Sequence, residues 1–375
     1  MTKKLNSLTI LFIITVVMVL LALVSIYRAE DSTDDFTLLF PDLYEQLSQV
    51  DNIKFNSSED EFTLYREGED WFIREYYNYP ANFDDVKRML IDMSEAKILE
   101  RKTANPDEHV VLGVEGAEPE VPGGESLQVT LLDDNEEVAG LIVGNQREVT
   151  SLTGPKQFYV RRTGEERAWL AEGYLQISPV MLNWIQGEVI NLARERIARV
   201  EIIQPAGDKA VLVNLGEKDK FGTPESRDRT VFKYEQLGYD IAGALHQLRM
   251  EEVQPVAEFS RGDAEVVTAR FFTFDGLVVT AETSFNDGFY YATFSAEYDA
   301  SAVKQAPEDI QKLEVLKTAE QVRAEVAKLN EKLQPWVYRV SGFVGTNLMR
   351  ARADMVTERS NVIPMPPDMT GFGPR

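Results

Sequence analysis

The sequence contains no cysteine and only two histidines, His109 and His246. The absence of cysteine excludes disulfides, thiolate catalysis, thiolate metal ligands and a lipid-modified N-terminal cysteine. The two histidines are far apart in the chain and do not form an HxxxH or HExxH pattern. The GxSxG, GxGxxG and P-loop patterns are also missing. We therefore assign no catalytic, cofactor-binding or metal-binding residue from the sequence, and we expect no cofactor.

Basic residues are scarce, with 39 Lys and Arg against 62 Asp and Glu and a formal net charge of −23. Every acidic residue follows Arg28 in the chain. Such a charge repels phosphate backbones and anionic lipid headgroups, so we do not expect this part to bind nucleic acid or lie on a membrane. Adjacent acids could serve a hydrolase, but chance alone produces such pairs in an acidic chain. Examples of such pairs are Asp84/Asp85, Asp133/Asp134, Glu165/Glu166 and Glu251/Glu252.

One long apolar run, Leu8–Tyr27, contains no charged residue. A helix of about 20 residues spans roughly 30 Å, the thickness of the bilayer core. Lys3 and Lys4 precede the run and acidic residues follow Arg28, so the N-terminus is predicted to be cytoplasmic. The apolar core of a cleaved signal peptide is shorter, about 7–15 residues. We therefore expect an uncleaved, single-pass signal anchor in a bacterial inner membrane, with the bulk of the chain in the periplasm.

Short patterns in the first half of the chain predict local structure. Alternating apolar residues in Glu61–Arg66 and a returning strand at Trp71–Ile73 predict a β-hairpin. Asn82 is suited to cap a following helix, whose apolar face is predicted to be Val86, Met89, Leu90 and Met93. Trp71 is expected to be buried against that face, because an isolated hairpin needs a covering layer.

The order of predicted elements occurs twice, offset by about 140–150 residues, which indicates an internal duplication. The second copy includes a predicted helix at Asp240–Leu248 and an Asp275-Gly276 hairpin turn. A further helix is predicted around Leu182, Ile185 and Val189. The fold is therefore predicted to be α+β, with one transmembrane helix and a duplicated sheet-and-helix exported region. The predicted segments are the cytoplasmic N-terminus 1–7, anchor 8–27, linker 28–39, first repeat 40–190, second repeat 191–305, C-terminal helical region with a short strand 306–358, and Pro/Gly-rich tail 359–375.

Several short stretches carry a resemblance to a known family. They are the anchor, the hairpin Leu64–Ile73, the helix start Pro80-Ala81-Asn82, and the segments Leu112-Gly113-Val114, Phe158–Arg161 and Trp336–Val340. Together they resemble the bacterial family known as domain of unknown function 4340. The second copy has no tryptophan matching Trp71 and inserts a polar loop at Gly222–Asp228. The resemblance implies a single-pass envelope protein associated with ABC-type export systems like the gliding-motility transporters.

The absence of catalytic motifs favours a non-catalytic accessory or scaffold subunit. The resemblance implies that it serves an ABC-type transporter complex, with a permease and its associated membrane subunits as partners. Trp336, Tyr338 and Arg339 are the candidate partner interface, because aromatic and Arg side chains often anchor interfaces. Packing of Trp336 against the protein's own sheet is the alternative for that residue. Two other functions stay open. One is a hydrolase of envelope carbohydrate that uses two acids, and the other is a solute-binding receptor with a cleft between the repeats.

Overall fold

The computed structural model describes residues 37–58, 60–116, 126–147, 154–224 and 230–358. The predicted N-terminus 1–7, the anchor Leu8–Tyr27, most of the linker 28–39 and the tail 359–375 lie outside these residues. Within the described part of the chain, no helix is both long enough and apolar enough to cross a membrane.

The described residues form an α+β fold with two large antiparallel sheets, as the strand and helix patterns predict. The chain divides into two compact units, Met1–Ile185 and Gln186–Arg375. This division lies a few residues before the boundary at 190 that the sequence predicts.

The first unit contains a nine-stranded sheet in the order β4-β3-β2-β1-β6-β7-β8-β9-β5. Its strands are β1 (Asn52–Asn56), β2 (Glu61–Glu67), β3 (Asp70–Ile73), β4 (Tyr79–Pro80), β5 (Lys97–Arg101), β6 (Leu127–Asp133), β7 (Glu136–Arg147), β8 (Lys156–Arg162) and β9 (Ala168–Gly173). Its helices are α1 (Leu43–Gln46), α2 (Phe83–Glu95) and α3 (His109–Leu112), with 3-10 turns at Pro106–Glu108 and Met181–Trp184.

The predicted hairpin and its covering helix are confirmed. Residues of β2 and β3 pair in antiparallel register, with Leu64 opposite Ile73. The side-chain oxygen of Asn82 accepts a hydrogen bond from the Asp84 amide at 3.2 Å, which caps α2 as predicted. The four residues of the predicted apolar face are buried. Trp71 is only 4% exposed and belongs to the same core cluster, so the layer packing follows from the pattern.

The second unit contains another nine-stranded sheet, in the order β10-β15-β19-β18-β17-β16-β11-β12-β13. Its strands are β10 (Glu188–Ile190), β11 (Ile197–Ile203), β12 (Lys209–Asn214), β13 (Phe221–Gly222), β15 (Leu248–Pro255), β16 (Val266–Thr273), β17 (Leu277–Asn286), β18 (Phe289–Tyr298) and β19 (Trp336–Val340). A separate pair is β14 (Thr230–Phe232) with β20 (Val356–Glu358). The helices are α4 (Leu237–Ala242), α5 (Glu308–Gln311), α6 (Ala319–Leu333), α7 (Gly342–Met349) and α8 (Arg352–Met355), and 3-10 turns lie at Arg194–Arg196 and Ala300–Ala302.

Eight strands of each sheet follow the same order. In the first unit the order is β3-β2-β1-β6-β7-β8-β9-β5, and in the second it is β13-β12-β11-β16-β17-β18-β19-β15. In both units a three-stranded meander is followed by a helix and a strand at the far side of the sheet. Four further strands then fill the space between. The ninth strand differs, because β4 extends one side of the first sheet and β10 extends the opposite side of the second.

Strand β19 is an integral member of the second sheet, where it lies between β15 and β18. The sequence assigns Trp336–Val340 to a C-terminal region beyond the second repeat, which ends at 305 in that prediction. The reason for the difference is that α5 and α6 separate β19 from β18 along the chain. A pairing across so long a connection leaves no local pattern.

The helix predicted around Leu182, Ile185 and Val189 is wrong. A short 3-10 turn occupies Met181–Trp184, and β10 follows at Glu188–Ile190. In β10, Glu188 lies opposite Arg249 of β15. The β-branched residues of this segment favour a strand once a partner edge is present.

The helix predicted at Asp240–Leu248 is shorter than expected. It begins at Leu237 and ends at Ala242 as α4, and Leu248 already belongs to β15. Gly243 follows α4, where an added Cβ would lie 2.5 Å from the guanidinium of Arg194. The apolar spacing that predicts a longer helix therefore comes from two different elements that both contribute to the core.

Candidate functional site

The three residues predicted as a partner interface lie on β19, but their environments differ. Tyr338 is fully buried, its ring is 5.9 Å from that of Phe294, and its hydroxyl donates a hydrogen bond to the Lys332 carbonyl at 3.3 Å. Trp336 is half-buried. Alternation along the strand places Tyr338 on the core face. Tyr338 therefore packs within its own unit, and Arg339 carries the accessible charge.

Arg339 is held by acids of the neighbouring strand. Its guanidinium forms ion pairs with Glu252 and, at 3.5 Å, with Glu251. The same guanidinium lies 4.8 Å from the centroid of the Phe289 ring. This contact connects β19 to the exposed Phe289 at the end of the β17–β18 hairpin.

We define the aromatic hairpin surface as the exposed Phe285 and Phe289, the half-buried Tyr290, and the exposed Phe343 of α7, the helix that contacts Tyr290. Phe285 is 50% exposed, Phe289 45% and Phe343 62%. The ring of Tyr290 lies 4.7 Å from that of Phe285. Phe285 lies opposite Tyr290 on one face of the hairpin, whereas Phe289 lies opposite Asn286 and so on the other face, beside Arg339. Single exposed apolar residues are common, but exposed aromatic rings on both faces of one hairpin end make that end a candidate binding surface.

Helix α7 orients Tyr290 through a close approach at Gly345. A Cβ added to Gly345 would lie 2.0 Å from Cγ of Tyr290, so only glycine leaves room for the ring. The Tyr290 hydroxyl lies 3.2 Å from Oγ1 of Thr346 on the same helix. These two contacts fix one ring of the aromatic hairpin surface.

The first unit carries a groove of about 390 Å³ that is open along one side and lies between α1 and α2. Trp71 and Leu90 are buried residues that also line it, and Tyr44 and Phe83 are exposed aromatic residues in its wall. We call it the α1–α2 groove. Its remaining lining residues are Leu47, Ser48, Arg66, Lys87 and Ile91.

The α1–α2 groove is lined by two basic residues, Arg66 and Lys87, and by no acidic residue. Arg66 donates a hydrogen bond to the Ser48 carbonyl at 3.0 Å, and its guanidinium lies 5.9 Å from the Trp71 ring. Within the described part of the chain, neither base forms an ion pair. The groove therefore places positive charge directly beside apolar surface.

A second pocket of about 340 Å³ in the first unit is lined by acids and tyrosines. Burial raises the pKa of the Asp92 carboxyl, and the charge of Glu95 raises it further, against the opposing effect of Arg88. A carboxyl with a raised pKa beside other carboxylates can act as a general acid. The acidic and aromatic lining residues are Asp92, Glu95, Glu172, Tyr44 and Tyr174.

A third cavity, of about 440 Å³, has lining residues of both charges. Among them, Asp85 accepts hydrogen bonds from Asn82 and, at 2.8 Å, from Arg88. Trp184 lies in the lining, and its indole N–H donates to the Ser178 carbonyl at 3.0 Å. The acid of this cavity is thus already engaged with an arginine and with the helix cap.

A buried cluster of charges lies in the second unit. Arg196 forms ion pairs with Asp275 at 3.0 Å and with Glu325 at 2.9 Å, and Lys317 lies 2.9 Å from Glu325. Asp275 also accepts a hydrogen bond from the backbone N–H of Lys317 at 2.9 Å. Each charge faces an opposite charge, so the cluster connects α6 to the β16–β17 turn and presents no free acid or base.

The histidines do not form a site in the structure. His109 is buried, with its Nε2 2.9 Å from the Glu166 carbonyl oxygen. His246 is exposed. Among the residues that the structure describes, no group of three potential metal ligands converges.

Two comparisons with known proteins bear on the chain. The model of the family described as Domain of unknown function (DUF4340) matches residues 71–265, half of the chain. No curated protein matches this chain.

Proposed function

We propose that this chain, which belongs to the DUF4340 family, is a membrane-anchored, periplasm-facing scaffold subunit of an ABC-type transporter complex. The N-terminus is cytoplasmic in this proposal, and Leu8–Tyr27 tethers the two units to the outer face of the inner membrane. Permease and associated membrane subunits are the partners. The protein contributes recognition rather than chemistry.

The observation that carries this proposal is the aromatic hairpin surface. Large rings bury much apolar area at a small cost in side-chain entropy, which suits them as interface anchors. Arg339, stacked on Phe289, lies at its edge, where its charge can remain solvated. A protein partner is favoured over nucleic acid or anionic lipid, because the net charge of −23 repels both.

The shared strand order supports the duplicated architecture that the sequence predicts. Eight strands in the same order, each set with its helix before the far strand, favour descent of both units from one ancestral unit. The copies have since diverged, since the aromatic hairpin surface lies in the second unit and the α1–α2 groove in the first. A scaffold benefits from such divergence, because two different surfaces can bind two different partners.

Co-purification from native membranes tests the proposal. The anchor is replaced by an unrelated transmembrane helix in one chain, and Phe285, Phe289 and Phe343 are replaced by serine in another. We expect the anchor-swapped chain to retain an ATPase and a permease, identified by mass spectrometry, and the serine variant to lose them. The matched control replaces three exposed apolar residues elsewhere, Val110, Val111 and Leu215, by serine. Complete loss on anchor replacement, with the protein still exported and folded, would assign recognition to the anchor instead.

The acid-lined pocket supports a second candidate function, hydrolysis of envelope carbohydrate. Asp92, with its raised pKa, would be the general acid, and Glu95 or Glu172 the second carboxylate. Release of new reducing ends from peptidoglycan glycan by the full chain, but not by the Asp92→Asn variant, would support it. Equal and negligible release by both proteins would reject it.

A further inference from the structure

The α1–α2 groove combines an apolar floor, aromatic walls and basic side chains without acidic partners. Trp71 and Leu90 form its buried floor, Tyr44 is 67% exposed and Phe83 is 47% exposed. Both exposed rings belong to the lining and are not covered by the unit's own core. An apolar surface in this arrangement gains free energy when another molecule covers it.

Charge defines the chemistry of the occupant. The 62 acidic residues outnumber the 39 basic ones, and yet the lining of this groove contains Arg66 and Lys87 and no carboxylate. Among the described residues neither base is in an ion pair, so both charges are available to an occupant of the groove. Complementary charge across an interface provides specificity and faster association. The occupant should therefore carry carboxylates next to apolar side chains.

Two classes of molecule carry carboxylates next to apolar groups, namely fatty acids and acidic segments of proteins. The shape of the groove distinguishes between them. A site for a small ligand encloses most of the ligand's surface. The α1–α2 groove is open along one side, so a fatty acid in it would keep much of its chain in water. A segment of another protein avoids this cost, because its exposed side is covered by its own fold.

We propose that the α1–α2 groove binds an acidic, apolar segment of a partner protein, with apolar side chains on Trp71 and Leu90 and carboxylates on Arg66 and Lys87. This inference rests on the proposed scaffold function and adds the chemistry of a second partner. It also gives the first unit a binding role separate from that of the aromatic hairpin surface.

The test measures binding of a synthetic peptide to the full chain in detergent micelles. The probe is a fluorescein-labelled peptide of leucine and glutamate, with leucine at positions i, i+3, i+4 and i+7, and its counterpart carries lysine for every glutamate. We expect saturable binding of the glutamate peptide that weakens with added salt, at least about tenfold tighter than that of the lysine peptide. Equal affinity for the two peptides would overturn the proposal, and this comparison needs no variant.

Variants locate the binding within the unit. The double change Arg66→Glu and Lys87→Glu should weaken binding of the glutamate peptide by about tenfold or more. The matched control is Lys54→Glu with Arg147→Glu, two exposed bases of the same unit that do not line the groove. A similar loss in both double variants would show a general charge effect and would overturn the assignment to this groove.

The apolar contacts have their own pair of variants. Phe83→Ser should weaken binding of the glutamate peptide. Val111→Ser should leave it unchanged, since Val111 is an exposed apolar residue of the first unit outside the groove. Saturable binding of dodecanoate with no binding of the glutamate peptide would identify a lipid-like site and overturn the proposal. If the wild-type chain does not bind the glutamate peptide but still co-purifies with the ATPase and the permease, only this inference is rejected. The aromatic hairpin surface is tested separately.

Discussion

The side-chain amide of Asn330 forms the two hydrogen bonds with the backbone of Ala296 that a neighbouring strand would otherwise form. Its amide oxygen accepts a hydrogen bond from the Ala296 N–H at 2.8 Å, and its amide nitrogen donates to the Ala296 carbonyl at 2.9 Å. Strand β19 pairs with β18 only along Tyr290–Ala292. Helix α6 thus satisfies the backbone of β18 beyond the end of β19, where an open edge would otherwise invite pairing with another chain.

Asn330→Ala should therefore destabilise the second unit. The expected loss is about 1–3 kcal/mol, because two backbone groups lose their partner in a half-buried position. Amide hydrogen exchange at Ala296 should become faster, which gives a local readout. Lys328→Ala, an exposed change on the same helix, should stay within about 0.5 kcal/mol of the wild type. Unchanged protection of the Ala296 amide would contradict the strand-like role of Asn330.

Trp71→Ala should destabilise the first unit by about 3–5 kcal/mol, the usual cost of truncating a large core side chain. Trp71 is 4% exposed and packs within the main core of its unit. Urea unfolding monitored by circular dichroism measures the loss. Trp71→Phe keeps an aromatic ring and should cost less. If the alanine variant unfolds together with the wild type, this packing is not a source of stability.

Glu325 should make the second unit sensitive to acid. Burial raises the pKa of its carboxyl, but the hydrogen bonds and charges of Arg196 and Lys317 outweigh this effect and lower the pKa overall. A group with a lowered pKa in the folded state stabilises fully above its unfolded pKa, and that contribution is lost as the pH falls through the folded value. Stability should therefore fall as the pH drops below the ordinary range of a glutamate.

The variant Glu325→Gln isolates this effect. It should reduce stability at neutral pH and flatten the decline in acid, as measured by urea unfolding across the acidic range. Glu297→Gln removes an exposed partner of Arg270 and should leave the profile nearly unchanged. An equally steep acid decline in Glu325→Gln would show that another carboxyl controls it.

Two glycines of α7 should respond in opposite ways to alanine. Gly345→Ala places a methyl group 2.0 Å from Cγ of Tyr290, so the ring must move and stability should fall by about 1–3 kcal/mol. An alanine Cβ at Gly342 meets no atom within 4 Å, and alanine is the better helix former. Gly342→Ala should thus be neutral or stabilising. Thermal unfolding compares the two, and equal effects would contradict the close contact with Tyr290.

Local patterns in the sequence predict much of the secondary structure correctly. The hairpin before Trp71, the Asn82 cap and the apolar face of α2 all follow from residues within a few positions of each other. Family membership is also accessible from short stretches of sequence and is confirmed over residues 71–265. Turn residues, caps and periodicity act over short distances, so they survive without knowledge of the rest of the chain.

Composition and local patterns are enough to predict the α+β class, the absence of thiol chemistry and the hairpin and helix of the first unit. The three-dimensional fold was needed to show that β19 completes the second sheet and that Tyr338 is buried while Arg339 is partly exposed. The fold was also needed to show that Arg66 and Lys87 line one groove whose lining contains no acid. Strand neighbours and burial depend on contacts between residues far apart in the chain. Spacing along the sequence carries no record of those contacts.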